Sequence, residues 1–311
     1  MKLSWSPYTL EFKKPSGTSR GVFHRKVSYF LKCSHQGRTA YGECGILKGL
    51  SYDDVPSYED RLDQLVREVE AMGQMSELDQ LDPELREWPS IRAGLEMVQL
   101  DYSSEAKHIL YPSEFTDGEL EQDINGLVWM GSPEYMRRQI DDLLERKFMV
   151  IKLKIGAIAW EQEYKLLADI RKKYSPAELQ LRVDANGAFQ TLKEAQGKLA
   201  LLENLDIHSI EQPLPAGRIE EMRELCRSSL LPVALDEELI GINTRVEKGQ
   251  LLEAVRPQFI ILKPSLLGGF KASEEWIEEA EKLGIGWWVT SALESNLGLN
   301  AIAQWNFTLS N

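Results

Sequence analysis

Histidine and cysteine are scarce in this chain, and each scarcity removes a class of chemistry. The four histidines, His24, His35, His108 and His208, show neither an HExxH motif nor paired spacing, so a zinc site or a histidine-based triad has little to draw on. The three cysteines, Cys33, Cys44 and Cys226, have no CxxC spacing and leave one thiol over in any pairing. A disulfide framework or metal-thiolate site is therefore not expected, and a reducing cytoplasm is the simple reading. Apolar runs long enough to span a bilayer are absent, and Met1-Lys-Leu-Ser-Trp-Ser-Pro-Tyr8 has none of the character of a secretory leader. Positive charge is also in short supply. A net charge of -13 argues against nucleic acid or an anionic membrane as the main partner. What is present, 311 residues with 43% hydrophobic and 27% charged, fits an ordinary globular protein of one large domain or two unequal ones.

The pattern along the chain changes once. Residues 8–12, 26–33 and 39–43 read as antiparallel strands, with residues 15–21 as a loop between the first two. Helical spacing follows at 57–73 and 91–104. Residues 1–115 are thus expected to form a small α+β unit. From residue 124 onward, short apolar runs (124–130, 149–155, 179–183, 207–210, 232–235, 258–262 and 286–290) alternate with helical patterns (133–146, 160–174, 191–203, 217–227, 245–254, 271–283 and 295–304). Seven strand–helix units in a row predict a parallel sheet, and a (β/α) barrel over 116–311 is its closed form. The open doubly wound alternative usually carries a glycine-rich phosphate turn after its first strand, and Gly131-Ser-Pro133 is not one.

Lys152 and Lys154, in Met149-Val-Ile-Lys-Leu-Lys-Ile-Gly156, carry the strongest signal. In a strand, residues two apart share a face, so two ammonium groups project together from an apolar run. Such a pair requires anions nearby, and desolvation beside a second cation is expected to lower a lysine pKa toward the range of proton transfer. The ends of the later strands supply the anions: Asp184 in Arg182-Val-Asp184, Glu211 in Ile210-Glu211-Gln-Pro213 and Asp236 in Leu235-Asp236-Glu237. Lys263 follows in Leu262-Lys263-Pro-Ser265. Catalytic groups of such barrels sit at the C-terminal strand ends. Three converging carboxylates repel one another unless a cation intervenes, and an all-oxygen donor set suits Mg²⁺. A lysine base and a metal together can abstract a proton next to a carboxylate. Bland readings exist for each residue alone: a lone Asp at a strand end is more often a helix cap, Asp184-Ala-Asn-Gly187 an Asx turn, and Lys152 a snorkelling rim residue. Five such residues at five consecutive strand ends, spaced by the repeat length, are hard to assign to caps alone. Arg182 shares the face of Asp184 and either positions a substrate or pairs with the acids.

At these residues the chain resembles the enolase superfamily, in its muconate-lactonising subgroup. The motifs are Lys152-Leu-Lys154, Val183-Asp-Ala-Asn186, Ile210-Glu-Gln-Pro213, Leu235-Asp-Glu237 and Leu262-Lys-Pro-Ser-Leu-Leu-Gly-Gly269. With Gly286-Trp-Trp-Val-Thr-Ser-Ala-Leu-Glu-Ser-Asn296, the chain looks most like the o-succinylbenzoate synthases of menaquinone biosynthesis. The resemblance implies a modified TIM barrel with an N-terminal α+β capping domain whose loops, with Gly17-Thr-Ser-Arg20 and Gly42-Glu-Cys44, cover the site. It implies Asp184, Glu211 and Asp236 as ligands of Mg²⁺, which Mn²⁺ could replace, and Lys154 as the base of a syn dehydration. Lys263 would stabilise the enediolate from the opposite side, and Lys152 would support Lys154 electrostatically. The candidates for contact with a small carboxylate substrate are Arg182, Ser265, Ser291, Gly17 and Thr18. Family members continue into an eighth strand and a glycine-rich last loop that these residues do not include, so a barrel lacking its eighth strand, truncated at its C-terminus, is expected. Racemisation of N-acyl amino acids or epimerisation of dipeptides stays open, because two lysines flanking one α-carbon suit that chemistry as well.

Overall fold

The computed structural model describes residues 1–18 and 21–309, and side chains are described outside 15–20. The first unit is an antiparallel sheet of β1 (Lys2–Thr18), β2 (Gly21–His35) and β3 (Arg38–Cys44), in that spatial order. Helices α1 (Tyr58–Ala71) and α2 (Pro89–Ser103) accompany it. Leu3, Leu31, Cys33 and Ala40 of the sheet meet Leu62, Leu65, Ile91, Leu95 and Val98 of the helices in one apolar core. The strands are longer than their alternation predicts. Residues 15–21, read above as a loop, are largely taken up by β1 and β2, and register shifts between Glu11 and Ser16 absorb the irregularity. Gly42-Glu-Cys44 is likewise the buried end of β3, not a loop. There α2 lies so close that a Cβ on Gly42 would collide with the Gly94 carbonyl, which explains glycine at both positions.

The second unit has seven parallel strands: β4 (Gly126–Val128), β5 (Val150–Lys154), β6 (Gln180–Asp184), β7 (Ser209–Glu211), β8 (Val233–Leu235), β9 (Phe259–Leu262) and β10 (Gly286–Val289). Their spatial order follows the chain, and among the described residues the end strands β4 and β10 are not paired with each other. Between them run α3 (Pro133–Glu145), α4 (Trp160–Arg171), α5 (Leu192–Glu203), α6 (Ile219–Ser228), α7 (Arg245–Val255), the short α8 (Pro264–Leu267) and α9 (Phe270–Lys282). Helix α10 (Asn296–Thr308) follows β10. Side chains in this sheet divide by the strand period of two. Ile151, Leu153, Leu181, Val183, Ile210, Val233, Leu235, Ile260 and Leu262 belong to the main apolar core with the helices. The alternate positions carry Lys152, Lys154, Arg182, Asp184 and Glu211 on the other face. Burying one face in apolar contact is what pins the register, and a slip of one residue would exchange the two faces. Every predicted strand and helix recurs, most within a few residues, while β1 and β2 run well past their predicted ends. Three short helical turns, Met75–Leu81, Glu237–Leu239 and α8, were not anticipated.

Candidate active site

Parallel register brings the charged strand ends to one level. Lys154 pairs with Asp184 across β5 and β6, and Asp184 with Glu211 across β6 and β7. Asp236 directly follows β8, and Lys263 directly follows β9, where it precedes α8. All six side chains converge and are linked. Lys152 Nζ donates to Asp184 Oδ2 at 3.2 Å and to Glu211 Oε2 at 2.7 Å. Lys154 Nζ donates to Asp184 Oδ2 and to Asn186 Oδ1, both at 2.8 Å. Lys263 Nζ reaches Glu211 Oε1 at 3.4 Å and also bonds Asp236. Three ammonium groups thus bridge three buried carboxylates in one chain.

The electrostatics follow from burial set against these bridges. Burial favours the neutral form of Asp184, but Lys154, Lys152 and Lys263 overcome it and hold its carboxyl well below the usual range. Glu211 is pushed up by burial and by Asp184, with Lys152 and Lys263 only partly compensating. Asp236 is pushed up by burial against the pull of Lys263, and Glu237 adds to the rise. The lysine expectation needs correction. Burial does depress Lys152, but Glu211 and Asp184 outweigh it and hold the ammonium above the ordinary lysine value. Lys263 is likewise raised, by Asp236 and Glu211 against burial. Adjacent carboxylates, not the neighbouring lysine, dominate both.

Three hard oxygen donors on neighbouring strand ends, two of them pushed upward by burial with neighbouring carboxylates adding to the rise, fit a divalent cation. Among the described residues, no three acidic, histidine or cysteine side chains stand together as a ready-made cage. The ammonium groups of Lys152 and Lys263 lie between the carboxylates instead.

Neighbouring residues orient this cluster. Asn186 accepts from Lys154 and donates through Nδ2 to Glu237 Oε1 at 3.0 Å, while its backbone N–H bonds Asp184 Oδ1 at 3.0 Å. Gln212, with a φ of 39°, accepts from the backbone N–H of Asp236 at 3.1 Å and of Glu238 at 3.2 Å, which fixes the turn carrying Asp236. Neither role was foreseen. Asn186 and Gln212 sit inside the motifs quoted above, but only tertiary structure gives them partners.

Of the remaining candidates, Arg182 stands beside Lys152 in the register of β5 and β6. Arg182 is one strand repeat below Asp184, with its guanidinium over the Trp288 ring at 4.3 Å, beside an aromatic group of His208, Phe259 and Trp288. Ser265 is buried and bonds Glu294. Ser291 lies half-buried in the segment between β10 and α10. Gly17 and Thr18 close β1, and their side chains lie outside the described residues, as do Ser19 and Arg20 altogether.

Comparisons with known proteins bear on the family and the fold. The family model described as enolase C-terminal domain-like matches residues 135–311. An o-succinylbenzoate synthase of Desulfotalea psychrophila is 42% identical over 98% of this chain and 89% of its own length. The crystal structure of MenC from Desulfotalea psychrophila superposes with a TM-score of 0.85 at 38% identity, covering 99% of this chain and 90% of that one. The o-succinylbenzoate synthase of Thermosynechococcus elongatus, solved with Mg in its active site, shares the fold with a TM-score of 0.78 at 21% identity, over 99% of this chain and 90% of its own. The chain belongs to the enolase superfamily, in the branch that includes the o-succinylbenzoate synthases.

Proposed function

We propose that the protein is an o-succinylbenzoate synthase, a hydro-lyase that removes water from 2-succinyl-6-hydroxy-2,4-cyclohexadiene-1-carboxylate. The observation that carries the reading is the flanking of one carboxylate set by lysines from opposite sides, Lys154 on β5 and Lys263 after β9. In this reading Asp184, Glu211 and Asp236 hold a divalent ion, Mg²⁺ with Mn²⁺ as a possible replacement. When bound, that ion supplies fixed positive charge for a carboxylate substrate.

The chain's own residues do the rest. Lys154 takes the proton from the ring carbon that bears the carboxylate. Negative charge then spreads onto the carboxylate oxygens as an enediolate, and the Lys263 ammonium stabilises it. As the bond to the ring hydroxyl breaks, the proton on Lys154 passes to the departing oxygen, and water leaves from the same face. Lys152, bonded to Asp184 and Glu211, keeps those carboxylates in place and offsets their charge. Asn186 holds Lys154 in position by its amide oxygen. Arg182, Ser265, Ser291, Gly17 and Thr18 remain the candidates for substrate contact, and residues 1–115 the candidate cap over a catalytic unit of 116–311.

The test is a dehydration assay of the purified protein with Mg²⁺, following appearance of the aromatic product, beside a racemisation assay on N-succinyl amino acids. Product formation that stops on chelation is expected. Racemisation without dehydration would replace this reading by the racemase one.

A further inference from the structure

Residues 290–295 join β10 to α10 and form the part of the mouth next to Lys263. One side chain of the first sheet grips this segment. Lys26 Nζ on β2 donates to the carbonyl oxygens of Ala292 at 3.1 Å and Leu293 at 3.0 Å. Strand alternation puts Lys26 on the buried face between exposed Arg25 and Val27, and the residue is only 4% exposed. Burial pulls its pKa down, and Glu294 and Glu43 oppose the fall. An ammonium on a long stem, with three donors, can bond two successive carbonyls at once, which no neutral side chain of that reach does.

The gripped segment is held in an uncommon shape. Leu293 has a φ of 62°, in the left-handed region that a leucine adopts only when its surroundings require it. Other contacts fix the same stretch. Glu294 accepts from the Ala292 N–H at 2.6 Å and from Ser265, beside Lys263. Glu43 of β3 accepts from the N–H groups of Ser295 and Gly298 at 2.9 Å, at the start of α10. Leu47, Leu266 and Ala292 form a separate apolar cluster, with Phe23, Leu50, Ile240 and Leu293 packed around it.

We propose that Lys26 is a positioning residue for the reaction: from the first sheet, it fixes the carbonyls of Ala292 and Leu293 so that the 290–295 wall keeps one shape for substrate. It acts through that segment and touches no reacting atom. The inference rests on the catalytic reading given above, and its test keeps the two apart. Lys26→Met keeps the apolar stem and removes the donors, while Lys26→Arg restores charge and donors.

Backbone hydrogen exchange and steady-state kinetics are measured on each variant. In Lys26→Met, amides of 290–295 should exchange at least tenfold faster while β5–β7 stay as protected as in the wild type. KM should rise about fivefold or more with kcat within twofold, and Lys26→Arg should recover most of both effects. Wild-type exchange in 290–295 in a folded Lys26→Met protein would overturn the proposal, as would a fall in kcat at unchanged KM. If Lys26→Met does not fold, Lys26→Gln retains a neutral amide donor group on a shorter stem and should show intermediate exchange, and wild-type protection there would also overturn it. A wild-type protein that dehydrates nothing would sink the functional reading, yet the exchange comparison, which needs no substrate, would still decide the role of Lys26.

Discussion

A buried lysine is an unusual residue, and here three of them share three acids. Each ammonium is satisfied, but each is also dependent: removing one partner leaves a buried charge uncompensated, at about 3–5 kcal/mol. The lysines therefore differ in what their loss should do. Lys154 bonds Asp184 and the neutral Asn186, so its removal leaves Asp184 still paired with Lys152. Lys154→Ala should then fold, with an unchanged circular dichroism spectrum, and lose roughly 100- to 10,000-fold in kcat, the usual worth of a general base. Near wild-type dehydration by that variant would remove Lys154 from its assigned role. The identities of these six residues were legible in the sequence because strand period and repeat length place them at one level. The charge state of Lys152 was not, because the lysine–lysine repulsion visible in Lys152-Leu-Lys154 is local in sequence. The carboxylates that outweigh it lie 32 and 59 residues away.

At the scale of elements, the two units are joined by carboxylates that accept backbone N–H groups across the joint. Glu96 of α2 accepts from Phe270 N at 2.6 Å and Lys271 N at 3.1 Å, in the first turn of α9. Gly269, with a φ of 100°, precedes them, and a Cβ there would collide with the Glu96 carboxylate. Burial pushes the Glu96 pKa up to about 7, although the N–H groups of Lys271 and Phe270 and the charges of Lys271 and Arg92 pull it back. A carboxyl raised on folding keeps its proton in the native state after the unfolded chain has lost it. Stability should therefore fall as pH rises from about 4.5 to 7, by about 3 kcal/mol from this group alone. Denaturant unfolding at pH 5 and pH 8 should show the wild type losing about that much relative to Glu96→Gln. Parallel pH dependences in the two proteins would refute it. The strands and helices were legible from apolar periodicity, with boundaries off by a few residues. The joint was not: Glu96 and Lys26 read as ordinary polar positions and Glu43 as part of a covering loop, and only docking gives them backbone partners.

In a molecule with a net charge of -13, three lysines lie among the buried carboxylates of Asp184, Glu211 and Asp236. A divalent ion taken up by those carboxylates stabilises the folded chain by mass action, by about 2.7 kcal/mol at a concentration 100 times its Kd. The melting temperature should climb with Mg²⁺ concentration, return on chelation, and respond far less in Asp236→Asn. A wild-type melting temperature indifferent to Mg²⁺ and Mn²⁺ would argue against the assigned ligands. The contact of Glu43 with Ser295 has a further consequence, for the order in which the protein is made. The two residues are 252 apart in the chain. At about 5–20 residues per second, on the order of tens of seconds separate their emergence from the ribosome. Throughout that interval the first sheet holds an acceptor whose donors have not been synthesised. The nascent N-terminal unit is therefore exposed along the edge that α10 later covers, and a chaperone with affinity for unfinished surfaces should find it there.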